Sequence, residues 1–346
     1  MSKLPPPLRK LPLPVIGSPL FIVSTPATVI AQCKAGVLGT MPTLNARPAA
    51  QLDEWLDEIA QTLAAHDRTQ PERPAAPFGV NLIVHKSNDR LDADLATVVR
   101  HRVPIVITSL GALTEVNEAI RGYGGVVLHD VINDSFARKA IEKGADGLIA
   151  VACGAGGHAG TTSPFALVQE IRRWFDGPLV LGGAIATGAA VLAAQVMGAD
   201  FAYIGSAFIA TLEARAKEAY KQAIVDGAST DIVYTNLFTG VHGNYLKPSI
   251  LRAGLDPENL PQRASRLLAF DTERQQHKWQ ALEEAQPGHE ATPTAPPDSA
   301  AKAWKDVWGC GQGIGAVTEV LATEDFVARL RHEYETARRR LHGEPA

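Results

Sequence analysis

Short apolar runs rich in Val, Ile and Leu alternate along the chain with longer segments of helical periodicity. The apolar runs fall at 11–17 (LPLPVIG), 36–40 (GVLGT), 78–84 (FGVNLIV), 104–108 (PIVIT), 125–128 (GVVL), 146–152 (DGLIAVA), 178–181 and 200–204. Between them lie helical patterns. The clearest, over 48–65, puts Leu52, Trp55, Leu56, Ile59 and Leu63 on one face. Others cover 26–33, a segment carrying Leu91, Leu95, Val98 and Val99, two that begin at Leu113 and Asp134, and 164–175, where Pro164 suits a first turn. Buried strands alternating with helices predict a parallel sheet covered on its outer face. About eight such units in roughly 200 residues predict a (β/α)8 TIM barrel. An open doubly wound sheet is the competing architecture, but it carries its glycine turn after the first strand. Here the glycine-rich pair comes last.

That pair sits in 178–211, PLVLGGAIATGAAVLAAQVMGADFAYIGSAFIAT. Both apolar runs end in glycine, Gly182-Gly183 and Gly205-Ser206. Neighbouring strands that stop in glycine ahead of a helix gather backbone N–H groups at one point, where the helix dipole favours an anion. In a barrel, the loops after strands seven and eight are the usual phosphate site.

After Glu213 the strand rhythm stops. Residues 213–226 are helical, 231–238 are ambiguous and 239–246 (TGVHGNYL) form a glycine-bearing loop. Residues 263–285 are helical in pattern, while 286–299 (QPGHEATPTAPPDS) have no periodicity and suit a mobile loop. Order returns at 304–315 (WKDVWGCGQGIG) and a last helix covers 317–341. The expected organisation is a barrel made of 1–211 and 304–346, with 212–303 a mostly helical insertion after the eighth strand.

Composition changes this picture little. The 346 residues are 46% hydrophobic and 20% charged with a formal net charge of −4, which points to no nucleic-acid or membrane partner. The basic, proline-rich first ten residues lead into no apolar segment of signal-peptide type. Three scattered cysteines, Cys33, Cys153 and Cys310, suit a reducing, cytoplasmic setting and form no zinc or disulfide framework.

Barrel active sites lie at the C-terminal strand ends. Read in order, these are Gly17-Ser18, Thr40-Met41, Asn81, Thr108-Ser109, His129-Asp130, 153–158, Gly182-Gly183 and Gly205-Ser206. The middle positions offer hydrogen-bonding side chains and the last two bare backbone, which suits a ligand with a polar ring at one end and a phosphate at the other. The run CGAGGHAG at 153–160 lets backbone approach a flat ligand, and His158 within it can move protons near neutral pH. Cys153 has no evident base and is expected to be a buried, inert thiol. Gln312, between glycines, could reach a ring edge, and His242 and Tyr245 are weaker candidates to line the substrate side.

These residues resemble the nitronate monooxygenase family, formerly called 2-nitropropane dioxygenases: FMN-dependent TIM-barrel flavoproteins. The segments that carry the resemblance are FGVN at 78–81, DGLIAVACGAGGHAG at 146–160, LGGAIATG at 181–188 and MGADFAYIGSAF at 197–208. The resemblance implies that Gly182, Gly183, Gly205 and Ser206 hold the FMN phosphate. It implies that Asn81 bonds the isoalloxazine, that the turn Gly17, Ser18, Pro19, Leu20 packs on it through backbone, and that Gln312 lies near the ring. Ser109, Gly156 and Gly157 join the expected cofactor contacts, and His158 takes the catalytic histidine position. No metal is expected. The implied reaction is oxidation of an alkyl nitronate, or a nitroalkane, by O2 to a carbonyl compound and nitrite. The same barrel also serves NADH:quinone reductases and flavin-dependent enoyl-acyl-carrier-protein reductases, and a non-catalytic phosphate-ligand barrel is a further alternative. Two departures stand out: Ser18-Pro19-Leu20 where relatives often carry Gly-Gly-Met, and Asp130 where some carry lysine. The oligomeric state is left open.

Overall fold

The computed structural model describes residues 4–9, 11–85, 87–261 and 305–344. Eight parallel strands form one sheet: β1 (Val15–Gly17), β2 (Gly39–Pro42), β3 (Phe78–Ile83), β4 (Ile105–Ser109), β5 (Val126–Val131), β6 (Gly147–Val151), β8 (Leu179–Gly182) and β9 (Phe201–Ile204). A two-residue strand, β7 (Gly157–His158), follows β6 and lies outside that sheet. The order is β1-β9-β8-β6-β5-β4-β3-β2. Its two edges meet in a parallel bridge between Ile16 and Leu38, backed by Gly17 N–H to Leu38 O at 2.8 Å. The sheet is a TIM barrel, as the alternation of apolar runs and helical patterns predicted.

Side chains alternate across each strand with period two. Ile16, Leu38, Ile105, Ile107, Val126, Leu128, Ile149, Val180 and Phe201 fill the interior as one buried cluster. Leu8, from the N-terminal 3-10 turn Pro6–Leu8, joins that cluster where the strands begin and stops the barrel's lower end. The intervening residues, among them Met41, Val80, Leu82, Val106, Val127 and Leu148, face the helices. Strand boundaries moved from expectation at the first two elements: β1 is shorter than 11–17, and β2 lies later than 36–40. Gly36, with φ 94°, instead terminates helix α1 (Pro26–Ala35). The long amphipathic pattern is helix α2 (Gln51–Thr69), with Leu52, Leu56, Ile59 and Leu63 buried as its spacing required.

The chain leaves the barrel after β9 through a four-residue helix (Ser206–Ile209) and helix Glu218–Val225. The segment of ambiguous pattern is strand β10 (Ile232–Thr235). It pairs antiparallel with β11 (Gly243–Leu246), which pairs in turn with β7 through Gly243 opposite His158. Helix Lys247–Arg252 follows. The described part of 212–303 thus adds a small sheet to the helices expected there. The expected helix over 263–285, the loop over 286–299 and Trp304 lie outside the described residues. The chain comes back alongside β11, with Leu246 N–H bonding Trp308 O and Cys310 N–H bonding Asn244 O.

The last helix, Thr323–Leu341, takes the eighth place in the outer ring, between α1 and the helix Gly188–Met197 that follows β8. Tyr334 Oη donates to Gln195 Oε1 at 2.6 Å, and Gly188 N–H donates to Glu333 Oε2 at 2.7 Å. The helices touch most closely at Gly188, where an added Cβ would lie 2.1 Å from Leu330 O and 2.2 Å from Tyr334 N. No side chain can fit there without the helices parting. Gly188→Ala should therefore destabilise the fold by about 1–3 kcal/mol through overpacking. Urea unfolding monitored by circular dichroism checks this, and an unchanged midpoint would mean the outer ring closes differently.

Candidate active site

Period two also decides which strand-end side chains face the mouth of the barrel. Directly above the apolar interior, Thr40, Asn81, Ser109, Asp130 and Tyr203 occupy the next inward positions, with Ser18 just beyond β1. Asn81 Nδ2 donates to Ile107 O at 3.1 Å and to Ser109 Oγ at 2.7 Å. Ser109 Oγ donates to Asp130 Oδ2 at 2.5 Å. Thr40 Oγ1 donates to the carbonyl of Gly17. Asp130 Oδ1 and the Tyr203 hydroxyl are buried with no hydrogen-bond partner. Burial pushes the Asp130 carboxyl up to about 6, against the bond from Ser109. Burial, and then the charge of Asp130, raise Tyr203; Ser18 is close enough to oppose this but lies outside hydrogen-bond geometry.

His129, adjacent to Asp130, points the other way. It is 6% exposed, its Nδ1 is 2.6 Å from Thr108 Oγ1 on the outer face, and burial lowers its pKa to about 4. It serves the strand–helix interface and not the mouth.

The two glycine pairs end adjacent strands, β8 and β9. Among the described residues, the N–H groups of Gly183, Gly205 and Ser206 have no acceptor. Gly183 has φ +145°, and a Cβ there would sit 2.8 Å from Cys153 O, so only glycine fits. Leu20 and Ser18 lie 3.4 Å from the Cβ position of Gly205, which brings the turn at 17–20 to the same place. That turn is held by Asn45, whose side chain bonds Leu20 O, Ser24 O and Ile22 N–H. One expectation changes. Helix Gly188–Met197 begins only after a further turn, and the helix after β9 is four residues long. An anion here would be held by backbone donors, with little help from a helix dipole.

The run after β6 forms the opposite wall. Gly156 abuts Gly311 N and Ser206 Oγ, and Gly311 N–H donates to Ser206 Oγ at 2.8 Å. Gln312 N–H bonds Gly154 O at 2.9 Å, which places this exposed glutamine over the wall. His158, on β7, is partly buried. Its Nε2 lies 2.9 Å from Thr239 Oγ1. The Thr239 hydroxyl gives its hydrogen to Val241 O, so His158 donates from Nε2 and keeps its lone pair on Nδ1. Burial pulls its pKa down to about 4.

Two expectations for this region are corrected. Cys153 is exposed rather than buried, because the turn after β6 carries it out of the packed wall. Tyr245 is fully buried in a separate cluster with Ile250 and Val307, so it does not line the mouth. His242 stacks on Tyr234 with ring centroids 5.1 Å apart. All the other sequence-selected residues, from Gly17 to Gln312, come to the same end of the barrel. Sequence reasoning passed over Tyr203, Asn45 and Thr239. Strict alternation along β9 would have found Tyr203, whereas the other two carry no local signal.

No helix among the described residues is long and apolar enough to cross a membrane. The family model described as nitronate monooxygenase matches residues 87–333. A nitronate monooxygenase of Paraburkholderia phytofirmans is 26% identical over 233 residues, covering 64% of this chain and 62% of that one. A probable nitronate monooxygenase of Staphylococcus haemolyticus is 26% identical, covering 49% and 51%. The chain thus spans about half to three-fifths of the length of these curated relatives. Among solved structures, nitroalkane oxidase from Streptomyces ansochromogenes superposes with TM-score 0.75 at 25% identity, covering 96% of this chain and 98% of that one. FabK from Thermotoga maritima gives TM-score 0.75 at 23% identity and 99% coverage of both, a likeness of fold.

The histidine pKa values carry a stability consequence. The unfolded chain protonates its histidines near 6.5, whereas folded His129 and His158 stay neutral down to about 4. Their contribution is whole above pH 6.5 and is lost as pH falls toward 4, because the unfolded state binds those protons first. Asp130 opposes this, since its folded form takes up a proton at about pH 6, well above its ordinary carboxylate value. Urea unfolding at a series of pH values from 7 to 4.5 should show a declining stability that His129→Gln makes shallower. An identical slope in the variant would assign the decline to other groups.

Proposed function

We propose that this chain, which belongs to the nitronate monooxygenase family, is an FMN-dependent oxidoreductase that converts alkyl nitronates and O2 to carbonyl compounds and nitrite. The observation that carries the reading is the mouth of the barrel itself. Three unused N–H groups on adjacent strand ends lie beside the run after β6, which carries a partly buried, neutral histidine. The donors suit a phosphate dianion. The orphaned polar atoms of Asp130 and Tyr203 suit a polar ring that would complete them.

On this reading Gly183, Gly205 and Ser206 hold the phosphate, with Gly182 leaving room beside Tyr203. Asn81 commits its amide nitrogen to Ile107 and Ser109, which leaves Oδ1 to accept from a ring N–H. The backbone of Gly17, Ser18, Pro19 and Leu20 packs on the ring, and Gly156, Gly157 and Gln312 close it from the other wall. FMN, when bound, supplies the electron acceptor and the site of oxygen chemistry. The sheet of β10 and β11 pairs with β7 and backs His158, which supports reading 212–303 as an insertion in a barrel formed by 1–211 and 304–346. The partners are a small nitro compound and O2. Free, scattered cysteines fit a cytoplasmic location.

His158 separates the two substrate forms. A nitroalkane must lose its α-proton, and a base is most effective when its pKa lies near the working pH. At about 4, His158 is available as a base at neutral pH but weakly driven. A nitronate has already lost that proton and needs its charge held and its electrons accepted, so it is the favoured substrate. Bonded to Thr239, the imidazole stays in a fixed orientation for either task.

FMN should co-purify with the protein, and a chain that stays colourless after incubation with FMN would remove this reading. His158→Asn should keep FMN and most activity on preformed nitronate, while activity on nitroalkane falls about 10²–10⁴-fold. Oxygen uptake on both forms, with flavin content measured, is the test; equal losses on the two would make His158 an anion-positioning residue. Anaerobic stopped-flow mixing separates the other chemistry. A nitronate should bleach the flavin at once and NADH slowly, and the reverse order would assign a NAD(P)H:quinone reductase.

A further inference from the structure

Asp130 has no part in the reaction as written, yet it is the one carboxyl on the floor of the mouth among the described residues. It points inward because it continues the interior series Val126 and Leu128 along β5. Oδ2 accepts from Ser109, whose hydroxyl is itself held by Asn81, so the carboxyl cannot rotate away without breaking its bond to an oriented donor. Oδ1 is buried and unpartnered, and the buried Tyr203 hydroxyl has only the approach of Ser18, outside hydrogen-bond geometry. Two orphaned polar atoms in one small region are costly unless a bound group completes them.

The surroundings decide what kind of group Asp130 can be. From β9 it faces Tyr203, which stays protonated throughout the neutral range. From β4 it faces Ser109, and Ser18 lies beyond β1; neither is charged. The inward residue of β6 is the apolar Val151. His129, the neighbour on its own strand, is turned to the outer face with Thr108. Among the described residues no cation compensates the carboxylate, so its charge falls on whatever occupies the floor.

We propose that Asp130 is a positioning residue through which pH controls the reduction of the bound flavin. The inference rests on the FMN reading above. Two electrons from an electrode and one proton taken up by the ring would leave the bound cofactor one charge more negative. Asp130 would offset this by taking up a further fraction of a proton from solvent, and no bond forms between the carboxyl and the ring. An ionised Asp130 repels the incoming electrons; a protonated one does not. Burial already holds its pKa near 6, so the change falls inside the working range.

The test is a spectroelectrochemical titration of the FMN-loaded protein between pH 5 and 8, wild type against Asp130→Asn. The two potentials should coincide at pH 5. Above about pH 6 the wild type should fall away, reaching by pH 8 a reduction equilibrium about tenfold less favourable than in the variant, the equivalent of one pKa unit of coupling. Ser109→Ala removes a bond that stabilises the ionised carboxyl, so its point of departure should move to higher pH. That variant keeps the question open to refutation if Asp130→Asn does not fold. In the cofactor-free chain, carboxyl carbon NMR should show one aspartate titrating near 6 that Asp130→Asn removes. Parallel curves for wild type and variants, with FMN bound, would overturn the proposal and leave the functional reading standing. A wild type that binds no FMN would overturn both.

Discussion

Closure of the sheet between β1 and β2 is the constraint on which the rest depends. An open parallel sheet would leave β1 and β2 as unpaired edges and their inward residues in water. The Ile16–Leu38 bridge removes both edges and turns one face of each strand into a sealed interior. Once that face is sealed, every inward side chain has a fixed height in the barrel. Apolar residues fill the lower levels, and the first polar level falls where the strands end. The chain of bonds from Asn81 through Ser109 to Asp130 is that level, and it exists because three neighbouring strands reach it in register.

The mouth is assembled from three kinds of part with different physical roles. Strand ends β8 and β9 contribute bare backbone, whose N–H groups are already oriented and need no side-chain ordering. Strands β3, β4 and β5 contribute side chains locked to one another. The wall after β6 contributes glycines that let the returning segment at 309–312 pack against it, with Ser206 and Gly154 as its anchors. His158 belongs to this last group. Its environment comes from the β10–β11 sheet and not from the barrel, which is why its pKa is set by burial rather than by a charged partner.

Much of this was legible in the sequence. Alternation of apolar runs and helices is a direct image of strands covered by helices, and glycine at strand ends marks backbone that must approach something closely. The face that each residue presents was less legible. His129 and Asp130 are adjacent, and only the strand's phase, fixed by pairing with β4 and β6, shows that the carboxyl turns inward and the imidazole outward. Residues 231–238 gave no clear period because β10 is four residues long and only Thr235 in it is buried. Asn45 and Thr239 act by capping loops far away in sequence, a role no local pattern encodes. Cys153 was expected to be buried and inert because no base was evident for it, whereas the turn after Val151 carries it to the surface.

The anchor between Gly311 and Ser206 spans 105 positions of chain, and the final helix that fills the outer ring begins still later. Both walls of the mouth are therefore complete only once the C-terminal part has emerged from the ribosome and docked. Until then the polar floor is open to water, with the backbone donors of β8 and β9 solvated. Capture of a cofactor is thus tied to the end of synthesis rather than to formation of the barrel strands. Contacts this distant in sequence also form slowly, so a nascent barrel passes through an interval with its strands in place and its mouth unfinished.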